Sequence, residues 1–172
     1  CKMLDDHVLC DRDIPIESLL IEELRKRGMS LSTAESCTGG NIAHTITTIP
    51  GCSDVFNGGV VAYSNQVKEN ILGVSSVTLQ QHGAVSEEVV REMVIEACKA
   101  LNTDCAIATS GIAGPGGGTP AKPVGTVCIG IKTPDRIFTH TYHFPGNRQR
   151  VIERATMTAI IQAIELIRGK SI

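Results

Sequence analysis

One stretch limits what this chain can become more than any other: Thr109-Ser110-Gly111-Ile112-Ala113-Gly114-Pro115-Gly116-Gly117-Gly118-Thr119-Pro120. It lies between two apolar runs, Cys105 to Ala108 and Val124 to Ile131. No regular helix or strand survives that density of glycine and proline, so a strand must end in hydroxyls and break into a loop before the next begins. Glycine in such a loop lets the backbone approach a ligand and aim N–H groups at an anion or a developing oxyanion. Thr33-Ala34-Glu35-Ser36-Cys37-Thr38-Gly39-Gly40 repeats the logic, running from an apolar start into a helical pattern. Two small, hydroxyl-rich strand ends read as two walls of one site.

Helix and strand signals alternate along the rest. Ile16, Leu19, Leu20 and Leu24 recur at helical spacing and Gly28 stops the helix. Residues 30–35 read as a strand, followed by a helix from about Thr38 that ends at Pro50-Gly51. Val55 to Tyr63 reads as a second strand, with Ser64-Asn65 capping a short helix through Leu72. A short helix from Ser75 to His82 ends at Gly83, and Ser86 opens a longer one carrying Val89, Val90, Met93, Val94, Ala97, Cys98 and Leu101. Strands follow at 104–109, 124–132 and 136–143, the last two as a hairpin, and a terminal helix occupies 147–168. This order predicts an α/β fold, a three-layer α/β/α sandwich on a mixed, mostly parallel sheet, with ligands beyond the strand C-termini.

With 172 residues, the chain reads as one domain able to bury a core without disulfides, residues 1–13 being a polar accessory or poorly ordered segment. Hydrophobic residues make up 42% and aromatics 3%, with no Trp, so the core must be aliphatic. Few aromatics and a net charge of −2 without any basic run weigh against nucleic-acid binding. No apolar stretch approaches the ~20 residues of a membrane span, and with no secretory leader the chain reads as cytoplasmic. The seven cysteines include no C-x-x-C pair and the five histidines do not cluster, so neither a disulfide framework nor a metal site is expected.

Four blocks in order, TAESCTGG (Thr33 to Gly40), GGVVAYSNQVK (Gly58 to Lys68), SGIAGPGGGTPAKPVGTV (Ser110 to Val127) and FPGNR (Phe144 to Arg148), resemble the CinA C-terminal domain family over roughly residues 15–168. Members of that family include nicotinamide-nucleotide amidases. The resemblance implies hydrolysis of the carboxamide of nicotinamide mononucleotide, no cofactor or metal, and a homodimer; a non-catalytic nucleotide- or partner-binding module is the alternative. It assigns Ser36 as nucleophile and Lys68 as its base, with Tyr63 assisting. Glu35, Thr38, Gly39, Gly40, Thr109, Ser110, Gly111 and Arg148 are the expected substrate contacts. Relatives often have Asp at the position of Asn147 and a second Arg where this chain has Ile152, which leaves Arg148, Arg150 or Arg154 to hold a phosphate.

The chemistry is consistent with that assignment. An amide is a poor electrophile, so its hydrolysis needs an activated nucleophile, an oxyanion site and an acid for ammonia. Ser36 sits at a strand-to-helix turn, where N–H groups from Thr38 to Gly40 could meet negative charge. Lys68 works as a base only when neutral, and lowering its pKa from ~10.4 toward ~7–8 requires about 3–5 kcal/mol of disfavoured charge. Glu35 would oppose that shift if its carboxylate pointed at Lys68; it could instead orient substrate or cap backbone N–H groups. Cys37 is the more nucleophilic neighbour of Ser36, but no motif places a His or Asn beside it.

Overall fold

The structure, a computed structural model, describes residues 12–170. Its elements in chain order are α1 (Ile16–Arg27), β1 (Leu31–Glu35), α2 (Asn41–Thr47), β2 (Phe56–Val61), α3 (Asn65–Asn70), α4 (Ser76–His82), α5 (Glu87–Leu101), β3 (Cys105–Gly111), β4 (Thr126–Lys132), β5 (Ile137–His143) and α6 (Arg148–Ile167). Each boundary has a local cause. Gly28 closes α1 in the left-handed region, a conformation that costs glycine nothing. Ser64, Ser75, Ser86 and Asn147 accept backbone N–H groups at the starts of α3, α4, α5 and α6.

The five strands form one sheet in the order β2-β1-β3-β4-β5. β1 pairs in parallel with both β2 and β3, while β4 runs antiparallel to β3 and β5. Four strands therefore point one way and β4 alone is reversed: a mixed, mostly parallel sheet. Strand alternation sends Leu31, Ile107, Val127, Ile129 and Ile131 to one face, packed against α1, α2 and α6. Ala34, Ala106, Ala108 and Cys128 face the other way, onto the side of α4 and α5. The result is three layers. Phe56 is the one aromatic in the buried core among the described residues, so the packing is aliphatic, as its composition requires.

Several boundaries differ from the sequence reading, and β3 runs past the expected end at 109 to Gly111. α2 begins at Asn41 rather than near Thr38, because residues 37–40 form a turn in which Gly39 and Gly40 take positive φ. β2 ends at Val61, which leaves Tyr63 beyond the sheet and 60% exposed. β4 begins at Thr126, so Val124 belongs to the loop. The polar segment 1–13 lies almost wholly outside the described residues. Among those residues, no helix is long and apolar enough to cross a membrane.

Candidate active site

β1 lies between β2 and β3, and all three point their C-terminal ends to the same edge. Ser36 follows β1, Tyr63 follows β2, and Gly111 ends β3 with Ala113 just beyond it. The start of α6 brings Arg148 to the same place. Ser36, Cys37, Tyr63, Gly111, Ala113 and Arg148 line a cavity of about 220 Å³. An open parallel sheet puts its crevice there, at the end where consecutive connections leave toward opposite sides.

Lys68 reaches Ser36 from behind. Its Nζ donates to Ser36 Oγ at 3.0 Å and to the Ala62 carbonyl at 2.8 Å. The side chain is 1% exposed, and among the described residues it makes no ion pair. Burial therefore pushes the Lys68 amine below the usual lysine range. A neutral amine offers two N–H donors and one lone pair. With its lone pair turned to Ser36, it can accept the hydroxyl proton while still donating to Ala62.

Cys37, the competing nucleophile, is buried in the cavity wall, and that burial pushes its thiol up to about 12. A thiol held that high is not a thiolate at neutral pH. Tyr63 accepts from Arg148 Nη2 at 2.8 Å, and Arg148 Nη1 donates to the Gly114 carbonyl at 2.9 Å. The guanidinium thus bridges the β2 exit and the glycine-rich loop across the cavity mouth. Among the described residues it forms no ion pair, so its charge is available to an anion.

The remaining candidates separate. Ser110 and Thr109 are adjacent on β3 and so face opposite sides of the sheet: Ser110 donates to the Ala84 carbonyl at 2.6 Å on the side of α4 and α5. The expectation that both line one pocket is corrected by that alternation. Glu35 does not border the cavity either. Its carboxylate accepts from Thr38 Oγ1 and from the amides of Gly40, Ile42 and Ala43. Of its two possible roles, the structure shows the cap. Gly39 and Gly40 offer no free N–H, since the first donates to the Ser36 carbonyl and the second to Glu35. Thr38, Gly39 and Gly40 instead line a neighbouring groove of about 300 Å³ with Asn41, His44, Gln149 and Ile152.

Gly111 is held by space. A Cβ there would lie 2.7 Å from the Thr126 carbonyl oxygen and 2.9 Å from Val127 Cα. Of the three arginines considered for a phosphate, Arg148 alone borders the cavity, and Arg154 donates to the Pro145 carbonyl. Three contributors escaped the sequence reading: the Ala62 carbonyl that seats Lys68, and the walls Cys37 and Ala113. A backbone carbonyl leaves no mark in a sequence. Cys37 was at least visible as a neighbour of Ser36.

The CinA C-terminal domain family model matches residues 13–167. A CinA-like protein from Thermotoga maritima is 44% identical over 172 aligned residues, covering 98% of this chain and 42% of its own length. One from Fervidobacterium nodosum is 48% identical over 156, covering 91% of this chain and 38% of its own. The chain thus spans about two fifths of the length of the curated relatives it matches. Among solved structures, a competence/damage inducible protein from Agrobacterium tumefaciens superposes with TM-score 0.84 at 38% identity, covering 88% of this chain and 94% of that one. A competence or damage-inducible protein from Enterobacter asburiae gives TM-score 0.85 at 34% identity, covering 88% and 96%.

Proposed function

This chain belongs to the CinA C-terminal domain family, and on that premise we propose that it is an amidohydrolase working through a Ser36–Lys68 pair, with the carboxamide of nicotinamide mononucleotide as substrate. One observation carries the reading: a buried lysine with no ion-pair partner among the described residues, its Nζ 3.0 Å from a serine hydroxyl that borders a cavity. Burying an uncompensated ammonium is costly, and a packing role would be served better by an apolar side chain. The cost is intelligible where a neutral amine is wanted as a base.

In the proposed reaction Ser36 Oγ adds to the amide carbonyl carbon as its proton passes to Lys68 Nζ. The resulting oxyanion is assigned to the amide of Cys37, a residue that borders the cavity and whose N–H donates to no other residue among the described ones. Lys68 returns the proton to the departing nitrogen, the C–N bond breaks, and ammonia leaves an acyl-Ser36 ester. Water adds to that ester with Lys68 again as base, releasing the carboxylate product and restoring the serine. Arg148 is the cation we assign to the nucleotide's phosphate. Tyr63, accepting from Arg148, keeps its own proton to donate into the cavity.

Ammonia release with nicotinamide mononucleotide, checked by the mass of the product, is the direct test. Ser36→Ala and Lys68→Ala should each lower kcat at least about 10³-fold while leaving the melting temperature of a folded protein. Turnover near the parent rate in either variant would sink the dyad. A panel of small amides separates this substrate from another served by the same pair. Nucleotide binding without ammonia from any amide would instead indicate a binding module.

A further inference from the structure

Three residues expected at the substrate, Glu35, Thr38 and Thr109, are joined in one buried chain behind the nucleophile. Thr38 Oγ1 donates to Glu35 Oε2 at 2.7 Å, and Thr38 Oγ1 and Thr109 Oγ1 are 2.7 Å apart. All three are at most 3% exposed, and none borders the Ser36 cavity. The proton order follows from the donors available. A threonine hydroxyl has one hydrogen; that of Thr38 goes to the carboxylate, so the bond between the threonines must be donated by Thr109. Both O–H dipoles therefore point toward Glu35.

The main chain closes the loop. Ser36 N–H donates to the Thr109 carbonyl at 2.9 Å, and Gly39 N–H donates to the Ser36 carbonyl at 3.1 Å. The turn that presents Ser36 is thus tied to β3 twice, once through backbone and once through the threonine pair. Glu35 makes no ion pair among the described residues. Three amides and one hydroxyl from the following eight residues take the place of a cation. A carboxylate is the group suited to that spot, because all four neighbours are donors; a glutamine would turn its own N–H₂ toward one of them.

We propose that Glu35, Thr38 and Thr109 are positioning residues, a carboxylate-anchored hydroxyl relay that holds the Ser36 turn against β3 and keeps Ser36 Oγ within reach of Lys68. The proposal rests on the Ser36–Lys68 reading for its consequence in catalysis, while the relay itself can be measured without any turnover. It moves Thr38, Thr109 and Glu35 from touching substrate to fixing the nucleophile, a place where small displacements are expensive.

The test uses the full chain and an alkyl fluorophosphonate, which reports an activated serine without needing an amide substrate. Ser36 Oγ bonds to phosphorus, fluoride leaves, and the hydroxyl proton passes to Lys68. Thr38→Val and Thr109→Val keep the side-chain shape and remove the hydroxyl, whereas Thr38→Ser and Thr109→Ser keep the hydroxyl. Each valine variant should slow labelling of Ser36 roughly ten- to a hundredfold. Each serine variant should recover most of the parent rate. Amide hydrogen exchange at Gly40, Ile42 and Ala43 should accelerate in Thr38→Val and not in Thr38→Ser. With an amide substrate, the valine variants should lower kcat and leave KM nearly unchanged.

Labelling at the parent rate in both valine variants, unchanged exchange at those three amides, or a raised KM with intact kcat would overturn the relay; the last result would return the threonines to the substrate. Failure of the amidase reading looks different. The parent protein would then release no ammonia, and exchange at the three amides would still decide the relay. Lys68→Ala should abolish labelling and leave that exchange as it was.

Discussion

At the scale of single residues, Lys68 concentrates the cost and the use of this site. Its amine is held below the ordinary range by burial, so activity should rise with pH along a limb set by loss of the Lys68 proton, with a midpoint below ~10.4. A kcat/KM profile in the parent protein checks this. The same shift has a stability consequence of definite sign. Between the lowered folded pKa and the unfolded value of ~10.4, the unfolded chain binds the extra proton, so folded-state stability rises with pH across that window. Lys68→Met should therefore be inactive yet melt higher than the parent, and its advantage should shrink as pH climbs through the window. Denaturation curves at several pH values would show the trend or its absence. Cys37 gives the complementary expectation: with its thiol pushed up to about 12, iodoacetamide at neutral pH should leave the proposed ammonia release intact.

At the scale of elements, short segments place the groups that matter. α3 has six residues and carries Lys68, with Ser64 Oγ accepting the Val67 amide at its start. Ser64→Ala should destabilise by about 0.5–2 kcal/mol. Because the loosened helix seats the base, kcat should fall more than the melting temperature suggests. The pairing of β1 with β2 holds a second testable detail. Thr33 lies opposite Gly59, a Cβ on Gly59 would sit 2.1 Å from Thr33 Oγ1, and that hydroxyl is buried without a partner among the described residues. Gly59→Ala should cost on the order of 2 kcal/mol or more. Thr33→Ala in the same chain should restore most of it, a coupling that a double-mutant cycle in urea would measure. Caps and stops at this scale were largely legible: Gly28, Ser64 and Ser86 act where their residue types suggested, whereas Ser75 and Asn147, read as the first helical residues, are the caps just outside. The start of α2 was not, because residues 37–40 are shaped by Glu35, whose carboxylate caps the helix from across the turn.

Across the whole molecule, two aliphatic layers clamp one sheet. Ala155, Ala159 and Ala163 stand four residues apart on α6, all fully buried, and this narrow stripe is packed with the core side of α1 and the sheet. Ala159→Leu should overpack it and cost about 1–3 kcal/mol, whereas Met157→Gln, exposed on the same helix, should change the urea midpoint little. Local pattern alone determined the elements, their order and the three layers, because side-chain periodicity and capping act within a few residues along the chain. It also marked which strand ends carry hydroxyls and glycines. Only the tertiary structure decided which of those groups meet. Alternation on β3 turned Thr109 and Ser110 to opposite faces, and the turn at residues 37–40 folded the start of α2 back onto the Glu35 carboxylate. Packing around α3 took Lys68 out of water and set it behind Ser36. Burial is the sum of contacts from distant segments, so the environment that holds the Lys68 amine below its ordinary range exists only once the sheet has closed around it.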